Sequence, residues 1–127
     1  AMMVRRDVIE QVGKMPEVFF LFAEEFDWSY QITEAGYKLW YEAEVVVYHK
    51  GGATIGYGSP NRAYYMSRAR LLFTRRRSKW AIRLLSCTYL VCVSMPKNVI
   101  VALRKKNWMV AIALIRGTWH GLIDKKK

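Results

Sequence analysis

Between Leu84 and Pro96 the chain carries no charged side chain, and this run limits what it can fold into more than any other feature. A helix that crosses a bilayer needs about 20 apolar residues, so the run reads as too short to span. Lys97, Arg104, Lys105 and Lys106 interrupt the apolar sequence after it, and Trp108 to Ile115 forms a further block closed by Arg116. Short apolar helices bordered by Trp and clustered Lys/Arg suit the membrane interface, with the aliphatic face down and the cations over anionic head groups. A tight helical hairpin, or core helices packed on the rest of the protein, is the other arrangement such blocks allow.

Charge divides the chain just as sharply. Residues 1 to 60 hold nine acids and five basic residues, whereas the remainder holds sixteen basic residues and the single acid Asp124. This asymmetry points to two jobs, with the basic half meeting an anionic surface or ligand. Nucleic acid suits it poorly, because the cations cluster around apolar blocks and not among exposed stacking aromatics. A hydrophobic content of 53% excludes a disordered tail. Cys87 and Cys92 lie in the apolar run and read as reduced, buried thiols, compatible with a bacterial cytoplasmic setting. The start Ala1-Met2-Met3-Val4 opens on a strand-like run with no leader pattern, as expected of a fragment cut from a longer protein.

Local pattern predicts a strand over Met2 to Arg5 and a helix from Arg6 to Val12 stopped by Gly13. A second helix carries Trp28, Ile32 and Ala35 and stops at Gly36. Tyr37 to Tyr41 and Glu44 to His49 read as strands, being rich in aromatic and β-branched residues. Gly51-Gly52 and Gly56-Tyr57-Gly58 mark a loop. Ser59-Pro60 opens a helix to about Arg77 with Tyr65, Ala69, Leu72 and Phe73 as its core stripe.

Three groups of residues carry possible chemistry. Glu24, Glu25 and Asp27 cluster at a helix start, where the macrodipole by itself favours carboxylates. Phe26 and Trp28 interleave them, and a carboxylate beside an aromatic wall can act as general base toward a hydroxyl. His49 ends a valine-rich run just before glycines that would let a phosphate or metal approach the backbone. Arg62, Arg68 and Arg70 read as a solvated helix face, or as phosphate contacts, since guanidinium pairs well with phosphate oxygens.

The order of these features is more specific than any one of them. Arg-Arg-Asp-Val-Ile-Glu-Gln-Val-Gly, then Phe-Phe-Leu-Phe-Ala-Glu-Glu-Phe-Asp-Trp, then Ala-Gly-Tyr-Lys-Leu, then Val-Val-Val-Tyr-His-Lys-Gly-Gly, then Tyr-Tyr-Met-Ser-Arg resembles the acceptor-side half of inverting family 2 glycosyltransferases, over residues 1 to about 76. The resemblance implies an α/β chain: the C-terminal half of a Rossmann-like GT-A domain over 1–76, followed by a basic and apolar helical region over 77–127. It implies hexosyl transfer from a nucleotide-sugar donor to a saccharide or glycolipid acceptor, with inversion, on the cytoplasmic face of a bacterial membrane in polysaccharide or glycolipid assembly. Glu25 falls on the family's catalytic base, with Glu24 and Asp27 as accompanying acids. His49 falls on the ligand of a divalent cation, Mg²⁺ or Mn²⁺. Tyr64, Tyr65 and Arg68 fall on the family's donor- or acceptor-binding element, with Trp28 and Lys50 assigned to the same role, although position 69 is Ala where the family has Asn. No Asp-x-Asp metal motif occurs in these residues, so this chain alone is expected to be inactive. The competing expectation is a non-enzymatic basic module binding an anionic membrane surface or nucleic acid through residues 61 to 127.

Overall fold

The computed structural model describes residues 2–49 and 55–125. Its regular elements are all helical: α1 Arg6–Val12, α2 Glu24–Glu34, α3 Pro60–Arg77, α4 Trp80–Tyr89, α5 Met95–Arg104 and α6 Trp108–Ile123, with a 3₁₀ turn at Glu17–Phe19 and a π-turn at Leu90–Ser94. The described residues contain no strand, which overturns the α/β, Rossmann-like GT-A expectation. The segments expected as strands form no ladder among the described residues. Trp40, Tyr41 and Tyr48 are almost fully exposed. Strand propensity records how well a residue fits a pleated, half-buried surface, and here no neighbouring strand supplies a ladder or a face to pack on.

Helix boundaries follow their caps. Gly13, at a φ of 94°, closes α1, and its carbonyl accepts a hydrogen bond of 2.9 Å from Trp28 Nε1. That bond and the small core of Val8, Trp28 and Ile32 fasten α1 to α2. Ser59 accepts from the Arg62 amide with Pro60 in the first turn of α3. Phe19 is fully buried against Ala69 and Leu72 of α3, and Arg68 donates to the carbonyls of Val18 and Phe19. The 3₁₀ turn is thereby held on α3.

The charge-free run belongs to a longer helix than its own length suggests. α4, the π-turn and α5 are continuous from Trp80 to Arg104, 25 residues, or about 37 Å at 1.5 Å per residue. A lone lysine has good helix propensity and ends nothing, so Lys97 sits inside. Pro96 has no amide to give its own helix, and the π-turn immediately before it is the kind of local widening that accommodates such a gap. This helix is long and apolar enough to cross a membrane, and its apolar window is not buried inside the protein. Cys92 is exposed on it and Cys87 half-buried; both are free thiols, which corrects the expectation that both are buried.

α3 and α6 run side by side in the same direction, and the long helix between them carries the chain back. Gly117 and Gly121 of α6 lie against the backbone of α3 at Tyr64 and Arg68, and Ala111, Ala113 and Thr118 are also buried. Small residues at this spacing let two backbones approach closely. A Cβ on Gly117 would stand 2.3 Å from the Tyr64 carbonyl oxygen. Gly117→Ala is therefore expected to destabilise the protein by about 1–3 kcal/mol through overpacking, against its gain of about 1 kcal/mol in helix propensity. A lowered thermal midpoint in detergent checks this, and an unchanged or raised midpoint refutes the close packing.

Candidate functional site

The acids at the start of α2 diverge in environment. Asp27 is fully buried. Arg77 donates to its two oxygens at 2.6 and 2.9 Å, Arg76 reaches them at 3.3 and 3.4 Å, and Gln31 Nε2 adds a bond of 2.9 Å. Burial pushes the Asp27 carboxyl upward, but the hydrogen bonds and positive charge of Arg77 and Arg76 together outweigh it and hold the group below the usual carboxylate range. Asp27 thus ties α2 to the last turn of α3. Glu24 is half-buried, and its Oε2 is buried with no hydrogen-bond partner. Glu25 is exposed.

The turn that delivers these acids is unusual. Phe20, Phe22 and Ala23 adopt positive φ values of 59°, 65° and 68°, a conformation that costs a residue with a Cβ about 1 kcal/mol or more. Burial of Phe19 on one side and the helix start on the other hold the turn in place. Its consequence is to set Glu25 on a groove of about 760 Å³ whose walls include Phe22, Phe26, Phe73, Leu85 and Tyr89. The groove lies between the start of α2, the middle of α3 and the exposed first half of the long helix. Arg70 of α3 lines it too, so one carboxylate and one guanidinium share an otherwise largely apolar cleft.

The other expected site residues lie elsewhere. Trp28 is buried in the α1–α2 contact. The Tyr64 hydroxyl is 2.7 Å from His120 Nδ1, Tyr65 stacks its ring near Phe20, and Arg68 Nε pairs with Asp124 at 2.5 Å. This Tyr-Tyr-x-x-Arg element therefore joins α3 to α6 and to the turn. His49 is exposed and does not line the groove of Glu25. Lys50 lies outside the described residues. Among the described residues no three His, Cys, Asp or Glu side chains come together; the Mg²⁺ or Mn²⁺ expected at His49 calls for an Asp-x-Asp motif that these residues do not contain.

Sequence reasoning missed the partners of Asp27. The signal was present in Arg75-Arg76-Arg77: three cations on the last turn of a helix suit its dipole, but they also needed a counter-charge. Arg75 supplies a different link, donating to the carbonyls of Gly121 and Asp124 at the end of α6. Comparison with family models, curated proteins and solved structures finds no match to this chain.

Proposed function

We propose that this chain is the membrane-seated, acceptor-side part of an inverting sugar transferase, with Glu25 as the general base. The observation that carries the reading is the placement of Glu25 on an apolar groove walled by the foot of a membrane-length helix. There a glycolipid acceptor can lie with its hydrocarbon against Leu85 and Tyr89 and its hydroxyl near the carboxylate. Glu25 takes the hydroxyl proton as the acceptor oxygen forms its bond to the anomeric carbon, and the bond from that carbon to the departing nucleoside diphosphate breaks. The nucleotide-sugar is held by protein outside these 127 residues. The test supplies labelled nucleotide-sugars to membranes that contain the full protein and measures label entering the organic-solvent extract; no protein-dependent product would refute the reading.

Membrane seating rests on two exposed stripes. Trp80 and Leu84 face outward on α4, clear of the groove, and Trp108, Ile112, Ile115 and Trp119 do so on α6. α6 lies along α3, which carries Arg62, Arg68, Arg70 and Arg75 to Arg77 and cannot enter hydrocarbon cheaply. The three helices therefore favour the interface, apolar stripes inward and Arg104, Lys105 and Lys106 over head groups, on the cytoplasmic face of the membrane. The protein is expected to float with vesicles containing phosphatidylglycerol, less so with phosphatidylcholine alone. Replacing both Ile112 and Ile115 by Glu should cut partitioning roughly a hundredfold, from the loss of about 3 kcal/mol of apolar burial. Unchanged flotation of that variant would refute the seating.

A further inference from the structure

The walls of the groove that holds Glu25 are not equally fixed. α2 carries the buried residues Asp27, Trp28 and Ile32, and α3 carries Ala69, Leu71 and Leu72, but α4 has no buried residue. Leu85 and Tyr89, which α4 contributes to the groove, are 72% and 59% exposed, and Phe26 on the α2 side is 63% exposed. Among the described residues, the side-chain hydrogen bonds of α4 are those of Arg83 to the Ser78 carbonyl, at 3.1 and 3.4 Å, beside its own entrance. A helix held in this way lies at the low end of local stability, because few buried apolar contacts resist its displacement. Both ends of α4 are joints. Ser78 and Lys79, between α3 and α4, are extended, with ψ of 142° and 155°. At the other end the Met95 amide donates to the Leu90 carbonyl, five residues back, and Pro96 has no amide with which to restore the four-residue spacing at Cys92. A π-turn beside a proline is where a helix bends. Beyond it, α5 is held on α6 and buries Ala102.

We infer that α4 is a gate on the groove of Glu25, pivoting between the Ser78–Lys79 link and the π-turn at Leu90–Ser94. In this structure the gate stands open on a groove of about 760 Å³. Closing carries Leu85 and Tyr89 onto Phe26 and Phe73, so that apolar side chains now facing water cover one another. That burial drives the motion, since its free energy grows with the apolar area removed from water. Trp80 and Leu84 lie on the other side of α4, clear of the groove, so the outer face of the gate need not change its surroundings. A hydrocarbon chain entering the groove takes the place of Leu85 and Tyr89 against the two rings and holds the gate open; a sugar without such a chain offers nothing to replace those contacts. The inference adds regulation to the proposed function, because an empty site is shut and water is kept from Glu25 until an occupant arrives. Only that use rests on the reading of Glu25 as base; the motion itself rests on how α4 is packed and jointed.

The test is double electron–electron resonance on the full protein in phosphatidylglycerol nanodiscs, with native cysteines replaced by Ser, Cys87 and Cys92 included, and spin labels at Thr33→Cys on α2 and Thr88→Cys on α4. Both positions are exposed and neither lines the groove. Two distances are expected, one matching this structure and one shorter. Octyl glucoside below its micelle concentration should deplete the shorter one, and glucose should not. Replacing Leu85 and Tyr89 together by Asn should cut the shorter population about tenfold or more, from the apolar burial lost on closing. Pro96→Ala, which lets the helix run on unbroken, should also reduce it. A reference pair at Thr33→Cys and Arg116→Cys spans α2 and α6, which Asp27 and the end of α3 hold together, and should give one distance throughout; circular dichroism would verify the fold of each variant. A single Thr33–Thr88 distance as narrow as the reference, two distances that the Leu85 and Tyr89 replacements or Pro96→Ala leave unchanged, equal responses to octyl glucoside and glucose, or a reference pair that shifts as well would each overturn the gate. Glu25→Gln should keep both distances. Loss of transfer in Glu25→Gln with a single distance in the unmutated groove would therefore sink the gate and leave the base standing; two distances with normal transfer by Glu25→Gln would do the opposite.

Discussion

Glu25→Gln is expected to slow sugar transfer by about 10²–10⁴-fold, the usual worth of a positioned general base. The amide keeps nearly the shape and volume of the acid but cannot take a proton, so the affinity for the acceptor should change little and the loss should fall on the turnover rate. Glu25 is exposed, whereas its neighbour Asp27 is buried and ion-paired, so removing its charge should leave the thermal midpoint unchanged. Glu25→Asp should recover part of the rate if a shortened carboxylate still reaches the hydroxyl. Near-normal turnover of Glu25→Gln in membranes holding the full protein would remove Glu25 from the chemistry.

The second large effect falls on stability. Asp27→Ala should lower the unfolding free energy by about 3 kcal/mol, the lower part of the range for breaking a buried ion pair, because Arg76 and Arg77 keep some access to water. The midpoint should fall by about 10 °C. The pH dependence has a definite sign. Asp27 binds its proton less readily folded than unfolded, so its stabilisation is complete above the unfolded carboxyl value of about 3.9. It is lost as pH falls through the still lower folded value. Wild type and Asp27→Asn should therefore differ at neutral pH and converge below about pH 4. Melts of the two proteins that stay a constant interval apart down to strongly acid pH would contradict the ion-paired account.

The parts of this fold legible in the sequence are those set by local rules. Gly13 and Gly36 end their helices, and Ser59-Pro60 begins α3, since capping depends on a few neighbouring residues. What depends on distant partners is not legible there. Val45 to Tyr48 has the composition of a strand but no strand beside it among the described residues. The charge-free block from Leu84 stops at Lys97, whereas a helix continues until something breaks its hydrogen bonding, and Lys97 breaks nothing. In the candidate site, the grouping of acids at the start of α2 was visible, but its division was not. Only the approach of Arg76 and Arg77, about fifty residues on, makes Asp27 a tie and leaves Glu25 open.

Arg75, Arg76 and Arg77 occupy consecutive positions yet reach in two directions, the first to the carbonyl end of α6 and the other two to Asp27. The last turn of α3 therefore works as a linchpin between α6 and the helix that bears Glu25. A tilt of α6 must therefore be absorbed at that turn or handed on to α2, so on the proposed seating lipid packing beneath the protein would be one of the forces that aim Glu25 at its groove.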